Sequence, residues 1–211
     1  MTPVYKLSAN SVKNGRTVYG SMLAGNPVYV TPTDFESIAT VTVGSGGSSS
    51  ISFSSLPTTY KHLQLRYMAR TNRGIVTDTI IFRFNGNSTS SNYAMHSLDG
   101  SGAGSATAFA ETSAAPNNFG GIRLNTMPAA SASASIFGVG ILDIFDYNST
   151  DKKKTIRSLG GNDRNGSGSV ELFSGFYLAN NDALTSFTLT PYGGSLIVEY
   201  SRFALYGIKG A

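Results

Sequence analysis

The chain has 211 residues and a formal net charge of +4, with 40% hydrophobic and only 13% charged residues. This length fits one all-β domain, and a charged fraction of about half the usual value means that Ser, Thr, Asn and Gly make most of the surface. With no cysteine, disulfides and thiolate metal ligands are excluded, and the positive charges are too dispersed to predict a specific nucleic-acid surface.

Residues 1–34 differ from the rest of the chain and predict an extended N-terminal arm. Short Val-Tyr pairs are separated by Asn, Gly, Ser and Pro, which favours extended pieces and turns over helix. Such a segment cannot bury its own aromatic rings, so we expect it to bind a neighbouring molecule. The predicted contact residues are Val4, Tyr5, Val18, Tyr19, Val28 and Tyr29. The alternative is an arm that folds back as an edge strand of its own domain.

Residues 35–211 alternate between apolar and polar side chains with a period of two, which predicts β-strands. The clearest strand is 62–70, HLQLRYMAR, with Leu63 and Tyr67 on the buried face and Arg70 on the wet face. Residues 79–84 form another strand that ends at Asn85-Gly86, a strong hairpin signal. We expect residues 93–98 to be its partner.

The second half of the chain predicts a long loop and then several strands. Residues 99–121 are low in complexity and indicate a surface loop with at most a short strand near 108–111. The segment 135–147, SIFGVGILDIFDY, is apolar on both faces, as in a central strand covered on both sides. Its Gly138 and Gly140 favour a bulge or the close approach of a facing sheet. Further strands are predicted at 154–159, 169–178, 184–190 and 195–208, with a turn at 191–194.

These elements predict an all-β fold. Roughly eight to ten strands, no helix and no repeat of fixed period favour an antiparallel β-sandwich of jelly-roll type. We therefore expect two parts, the arm at 1–34 and the sandwich at 35–211.

No combination of side chains predicts catalysis or metal binding. The only histidines are His62 and His96, and no Gly-x-Ser-x-Gly elbow stands at a strand-to-helix turn. Asp143 and Asp146 are in opposite phases of one strand, so they do not predict a paired-carboxylate site. Together with Asp151 they also lack the spacing of a calcium loop. We expect no enzymatic activity, no catalytic or metal-binding residue and no cofactor.

Two other groups of residues have structural interpretations. Lys152, Lys153 and Lys154 form the only basic run; it has no interleaved aromatic residue for stacking on bases, so we expect a solvated strand end that blunts a sheet edge. Several tyrosines could form a sugar-binding surface, but their phases favour the core or a sheet face. These are Tyr67, Tyr93, Tyr177, Tyr200 and Tyr206.

The chain carries no signal for a membrane. No stretch approaches the ~20 apolar residues of a transmembrane helix, and the first thirty residues lack the apolar core of a signal peptide. We expect a protein made in soluble form in the cytoplasm of the cell that synthesises it, without membrane association.

Two stretches resemble a family of tailed-bacteriophage virion proteins, many from cyanophages. They are FESIATVTVGSGGSSSISFSSLPTTYKHLQLRYMAR (Phe35–Arg70) and SRFALYGIKG (Ser201–Gly210). Proteins of this family resemble lectin-like or jelly-roll modules of head decoration, head fibres and tail fibres. The resemblance implies a structural role in the virion and transfers no catalytic or binding residue.

The function predicted from these observations is capsid decoration. A decoration or cement protein would bind the head shell through its arm and stabilise it, with the major capsid protein as partner and a homo-oligomer, by preference a trimer, as its state. The alternative is a tail-fibre, receptor-binding or tail-adaptor module whose loops at 99–121 and 160–168 contact host glycans.

Overall fold

The computed structural model describes residues 34–102, 104–112 and 119–210, in which fourteen strands and two 3-10 turns form. The 3-10 turns are Ser90–Asn92 and Tyr192–Gly194. The strands are β1 (Phe35–Thr42), β2 (Ile51–Phe53), β3 (His62–Ala69), β4 (Thr77–Asp78), β5 (Ile80–Phe84), β6 (Tyr93–Gly100), β7 (Thr107–Glu111), β8 (Ile122–Arg123), β9 (Met127–Pro128), β10 (Gly138–Phe145), β11 (Lys154–Asp163), β12 (Gly168–Tyr177), β13 (Phe187–Pro191) and β14 (Arg202–Ile208).

Strand pairing identifies the topology as a jelly roll. β1 pairs with β14, β2 with β13, β3 with β10 and β5 with β8, all antiparallel. These are the nested pairs of one long hairpin that folds over into two facing sheets, which is the jelly-roll arrangement. The predicted all-β, antiparallel jelly-roll-type sandwich is therefore confirmed.

Two inserted hairpins widen one of the sheets. The β6–β7 hairpin follows β5, and the β11–β12 hairpin follows β10. They extend one sheet to eight strands in the order β1-β14-β3-β10-β11-β12-β6-β7, which faces the four-stranded sheet β2-β13-β5-β8. A short pair, β4 with β9, completes the described strands.

The core lies between the two sheets and is rich in aromatic rings. Phe187 stacks on Phe53 and Phe82 with ring centroids 5.0 and 4.9 Å apart, and Tyr177 stacks on Phe84 at 5.2 Å. The inner face of β3 is buried as the alternation predicts, with Leu63, Leu65 and Ala69 at 0% exposure. Aromatic pairs of this kind add to the stability that burial alone provides.

The predicted hairpin at Asn85-Gly86 is wrong. The turn itself forms, since Asn85 and Gly86 have φ of 46° and 71° and the Asn87 N–H donates to the Phe84 carbonyl at 2.8 Å. However, β5 pairs with β13 and β8, whereas β6 lies in the other sheet between β12 and β7. A few residues after the turn, with one 3-10 turn, carry the chain from one sheet to the other.

Two further predictions need correction. The segment 135–147 forms β10, but it is covered on one side only, because Val139 and Ile141 are 55% and 41% exposed. The loop predicted at 160–168 is mostly strand, because β11 and β12 form a tight hairpin through 164–167. The short strand expected near 108–111 forms as β7, which pairs with the end of β6.

The glycines of β10 meet close neighbours. Gly138 lies against Met127 and Pro128 of β9, as the prediction of a close approach requires, and β10 has no bulge. A Cβ atom on Gly140 would overlap the ring and hydroxyl of Tyr67, the directly opposite residue on β3. The absent side chain lets Tyr67 cross above Gly140 and donate to Asn125 Oδ1 at 2.9 Å.

Gly140→Ala should therefore destabilise the fold by about 1–3 kcal/mol, the usual cost of overpacking a filled core. The measurement is the free energy of unfolding in urea. Gly44→Ala is the matched control, because no atom lies within 4 Å of a Cβ at that position. Equal stability of the two variants would contradict the close contact between Gly140 and Tyr67.

The raised pKa of Tyr93 determines how the free energy of unfolding changes at alkaline pH. Burial raises the pKa of Tyr93 to about 12, whereas a tyrosine in an unfolded chain titrates near 10. The neutral hydroxyl is favoured in the folded state, so its contribution is complete below about pH 10 and is lost as the pH rises toward 12.

Tyr93→Phe should make the decline in unfolding free energy between pH 9 and pH 11 shallower. The variant should also be less stable at pH 8 by about 1 kcal/mol, since the hydroxyl donates to the Asn87 carbonyl at 2.7 Å. Tyr200→Phe, at a residue that is 68% exposed, is the matched control. An unchanged profile for Tyr93→Phe would refute the assignment.

Candidate assembly surface

The outer face of the eight-stranded sheet carries a cluster of exposed apolar side chains. Its members come from five neighbouring strands and are between 41% and 63% exposed. This cluster, named the apolar face, consists of Met68, Leu98, Val139, Ile141, Leu159, Val170 and Leu172. Soluble monomers rarely leave so many large apolar side chains adjacent and open to water.

Register aligns four of these side chains in one row. Ile141 is directly opposite Leu159, Leu159 opposite Leu172, and Leu172 opposite Leu98. The row therefore crosses β10, β11, β12 and β6 without interruption. Directly opposite residues on one face contact each other, so the four side chains form one continuous ridge.

The next row alternates between bulky residues and glycine. Val139 is opposite Gly161, Gly161 opposite Val170, and Val170 opposite Gly100. A hollow of 780 Å³ lies over this part of the sheet, with Val139, Gly161 and Val170 among its lining residues. The face is therefore corrugated, with valine side chains separated by glycine positions.

The row on the other side of the ridge is polar. Asp143 accepts hydrogen bonds from Gln64 Nε2 at 2.8 Å and from Arg157 Nη2 at 2.9 Å. Ser174 lies opposite Arg157, and His96 lies opposite Ser174. The surface thus has a defined orientation, with an apolar ridge between a corrugated row and a polar row.

A buried polar network beneath the face joins the inserted β11–β12 hairpin to the jelly roll. Asn125 Oδ1 accepts from the Tyr67 hydroxyl and from Ser158 Oγ at 2.6 Å, and Asn125 Nδ2 donates to the Glu171 carbonyl at 2.8 Å. The Glu171 carboxylate accepts from the Thr126 N–H at 2.8 Å. Satisfied buried networks specify one arrangement of the strands that they join. Side chains buried under the sheet therefore fix the register of β11 and β12, which carry part of the outer face.

The predicted catalytic and metal-binding candidates are not brought together. His62 Nδ1 accepts from the Asp146 N–H at 3.0 Å, while His96 lies on the outer face. Asp143 pairs with Arg157, whereas Asp146 pairs with Lys61 and Lys152. Among the described residues, no group of three or more His, Cys, Asp and Glu side chains could hold a metal ion.

The basic run is solvated only in part. Lys152 and Lys153 are exposed; the hydrogen bond from Lys152 to Asp146 Oδ2, at 2.6 Å, lowers the pKa of Asp146 and raises the pKa of Lys152. Lys154 is 1% exposed, which corrects the prediction. Its ammonium donates to the carbonyls of Ser149, Lys152 and Asn181 at 2.5, 3.0 and 2.9 Å. Burial lowers the pKa of Lys154.

Two further side chains depart from their predicted places. Arg70 is 9% exposed instead of wet, and its guanidinium donates to the carbonyls of Ser133, Ala132 and Ile136 at 2.7, 2.8 and 3.0 Å. Tyr200 lies at an exposed turn and not in the core. Tyr67, Tyr93 and Tyr177 are buried, and Tyr206 lies half-buried on the outer sheet face, as predicted.

The six predicted arm contacts lie outside the described residues. They are Val4, Tyr5, Val18, Tyr19, Val28 and Tyr29. The described chain begins at Asp34, whose carbonyl accepts from the Lys209 N–H at 2.9 Å. β1 follows at Phe35 as the edge strand of the eight-stranded sheet.

The apolar face was missed by the sequence analysis. Its signal was present in 135–147, where both phases of the strand are apolar, but that pattern was interpreted as a strand covered on both sides. Alternation in the segments around Leu98, Leu159 and Leu172 carried the same signal, since their outward phase includes leucine or valine.

No protein-family model, curated protein sequence or solved structure matches the chain. Within the described residues, no helix has the length and apolarity needed to cross a membrane. The functional argument therefore depends on the surface described above.

Lys154→Met should lower the free energy of unfolding by about 2–4 kcal/mol, because it keeps the buried stem but leaves three carbonyls without their charged donor. Urea denaturation measures the change. The matched control is Lys153→Met, at an exposed lysine that donates to the Leu178 carbonyl, and we expect a loss below about 0.5 kcal/mol there. Similar losses in the two variants would be inconsistent with the difference in burial.

Proposed function

We propose that this protein is a non-catalytic structural component of a bacteriophage particle, and specifically a decoration or cement protein that binds the capsid shell. The observation that carries the proposal is the apolar face, seven large side chains left open on a rigid, register-locked sheet. Exposed apolar surface of this extent is typical of contact surfaces between proteins. The resemblance of Phe35–Arg70 and Ser201–Gly210 to virion proteins supports the particle as the setting.

The arm supplies the second contact in this proposal. Residues 1–34 lead directly into β1, at the edge of the eight-stranded sheet that lies farthest from β7. A segment that binds along a partner adds buried apolar area over an extended line, at an entropic cost that the contacts must exceed. The major capsid protein is the proposed partner of the arm.

A tail location is the alternative. A tail-fibre or adaptor module would use its loops to bind host glycans, but residues 160–163 and 168 belong to strands of the wide sheet. The described part of that region therefore offers a short hairpin turn instead of a long adaptable loop. Capsid decoration remains the proposed function.

Labelling of purified virions with antibodies against this protein tests the proposal. We expect label distributed over the head. Label confined to the tail would favour the adaptor or receptor-binding role, and absence of the protein from purified virions would refute a structural role in the particle.

The arm contacts can be tested in the full chain by replacing all six predicted contact residues with Ser. Burial of one Val or Tyr is worth about 1.5 kcal/mol or more, so retention on particles should fall by at least about tenfold, with an unchanged circular dichroism spectrum. A matched control replaces six polar arm residues with Ala, at Ser8, Asn10, Asn14, Ser21, Asn26 and Thr31. Equal retention of both variants would contradict the proposed role of the arm.

A further inference from the structure

We propose that the apolar face binds the same face of a second copy of this chain, about a two-fold axis that runs parallel to the strands midway between β11 and β12. The inference rests on the proposed assembly role and names one partner in it. The two copies pack face to face as two sheets do in a sandwich, about 10 Å apart.

The ridge is self-complementary about this axis. The rotation places β11 over the partner's β12 and β10 over the partner's β6. Leu159 then faces the partner's Leu172, and Ile141 faces the partner's Leu98. All four residues of the ridge are matched with apolar residues, as an isologous interface requires.

The corrugated row selects the same axis. The rotation places Val170 over the partner's Gly161 and Val139 over the partner's Gly100, so each valine meets a glycine position. Val170 and Val139 are 63% and 55% exposed, and the 780 Å³ hollow gives a facing side chain room to enter. Interdigitation of this kind gives the packing density that stable interfaces share with protein interiors.

Neighbouring positions of the axis lose this match. An axis along β12 would place Val170 on the partner's Val170, and an axis along β11 would place Val139 on the partner's Val170. An axis along the ridge itself would bring Val139 against the partner's Asp143, whose carboxylate would lose water without gaining a donor. Among these positions, only the one between β11 and β12 matches valine with glycine and apolar with apolar residues.

The polar row is complementary as well. Asp143 comes opposite the partner's His96, and Arg157 opposite the partner's Ser174. A carboxylate thus faces a ring that has an N–H group to donate, and no pair of like charges is formed. Such a polar margin beside an apolar centre is the usual arrangement of an interface.

The extent of the face suits a stable pair. Seven side chains exposed to about half of their area present on the order of several hundred Å² of apolar surface. Specific complexes bury about 800 Å² on each partner. The polar row and the margins of the sheet add the remainder.

Cross-linking between two single-cysteine variants tests the axis directly, because the natural chain has no cysteine. Proteins carrying Ile141→Cys and Leu98→Cys are mixed and treated with a short bis-maleimide. We expect a mixed cross-linked dimer in several-fold higher yield than either variant gives alone, since each introduced thiol is about 14 Å, or three strand spacings, from its own copy along the sheet.

A matched control mixes Val76→Cys with Leu98→Cys. Val76 is 48% exposed but lies outside the apolar face, so this mixture should give no excess of dimer. Preferred self-linking of Ile141→Cys would overturn the axis. A monomer in which the Leu98→Cys thiol is shielded from reagent would identify residues 1–33 as the occupant and would also overturn the proposal.

Light scattering of the full chain gives the oligomeric state. The chain mass of 22.2 kDa predicts a dimer of twice that mass, and Leu159→Lys should weaken dimerisation at least tenfold because it places a charge in the ridge. Val76→Lys is the control and should remain dimeric. Because Leu159 is 54% exposed, the subunit should keep its circular dichroism spectrum.

An unmodified chain that is a monomer or a trimer would overturn the two-fold pairing, as would a Leu159→Lys variant that stays dimeric. Virion labelling separates this inference from the proposed function. A monomer that still labels the head would leave decoration in place without the pairing, whereas a dimer absent from virions would leave the pairing without the virion role.

Discussion

β10 has apolar side chains on both of its faces, and the rest of the molecule depends on this property. Its inward residues Leu142 and Ile144 are fully buried in the core, and the strand joins the jelly roll, through β3, to the inserted hairpins, through β11. Its outward residues Val139 and Ile141 have no described neighbour above them. One strand thus closes the core on one side and carries part of the exposed apolar face on the other.

Glycines on the inner and the outer face of the wide sheet both leave space for other side chains. On the inner side, Gly140 admits the Tyr67 ring, and Gly160 accommodates Asn125, where a Cβ would come within 2.6 Å of its side-chain oxygen. These contacts fix the register of β11 and β12 through a hydrogen-bonded network. On the outer side, Gly161 and Gly100 leave spaces between valines in the register so fixed. A surface pattern that depends on residue-by-residue alignment therefore persists because buried side chains prevent slippage.

Local patterns in the sequence are sufficient to predict the strands and the fold class. They do not predict which strands pair with each other or which charged side chains are buried. Alternation placed Leu63, Leu65 and Tyr67 in the core because period two is a local property of a strand. The partner of β5 is set by long-range pairing, and a strong turn at Asn85-Gly86 suggested the nearest strand. Arg70 and Lys154 look like solvent-facing cations in sequence. Arg70 is buried because carbonyl groups of the distant segment 132–136 surround its guanidinium. Lys154 is buried because carbonyl groups of the preceding turn and of Asn181 surround its ammonium. Alternation contains no information on such contacts.

The proposed role requires two separate contact surfaces, and the wide sheet has space for both. In the proposed role, the arm precedes β1 in the chain, whereas the apolar face begins two strands away at β3 and continues to β6. A jelly roll of eight strands has no room for two such separate surfaces on one sheet, and the inserted hairpins provide it. One subunit could then bind the shell through the arm and a second subunit through the face without competition between the two contacts. Contacts that connect neighbouring sites in this way resist dissociation of any single subunit, because one contact holds the chain while the other re-forms.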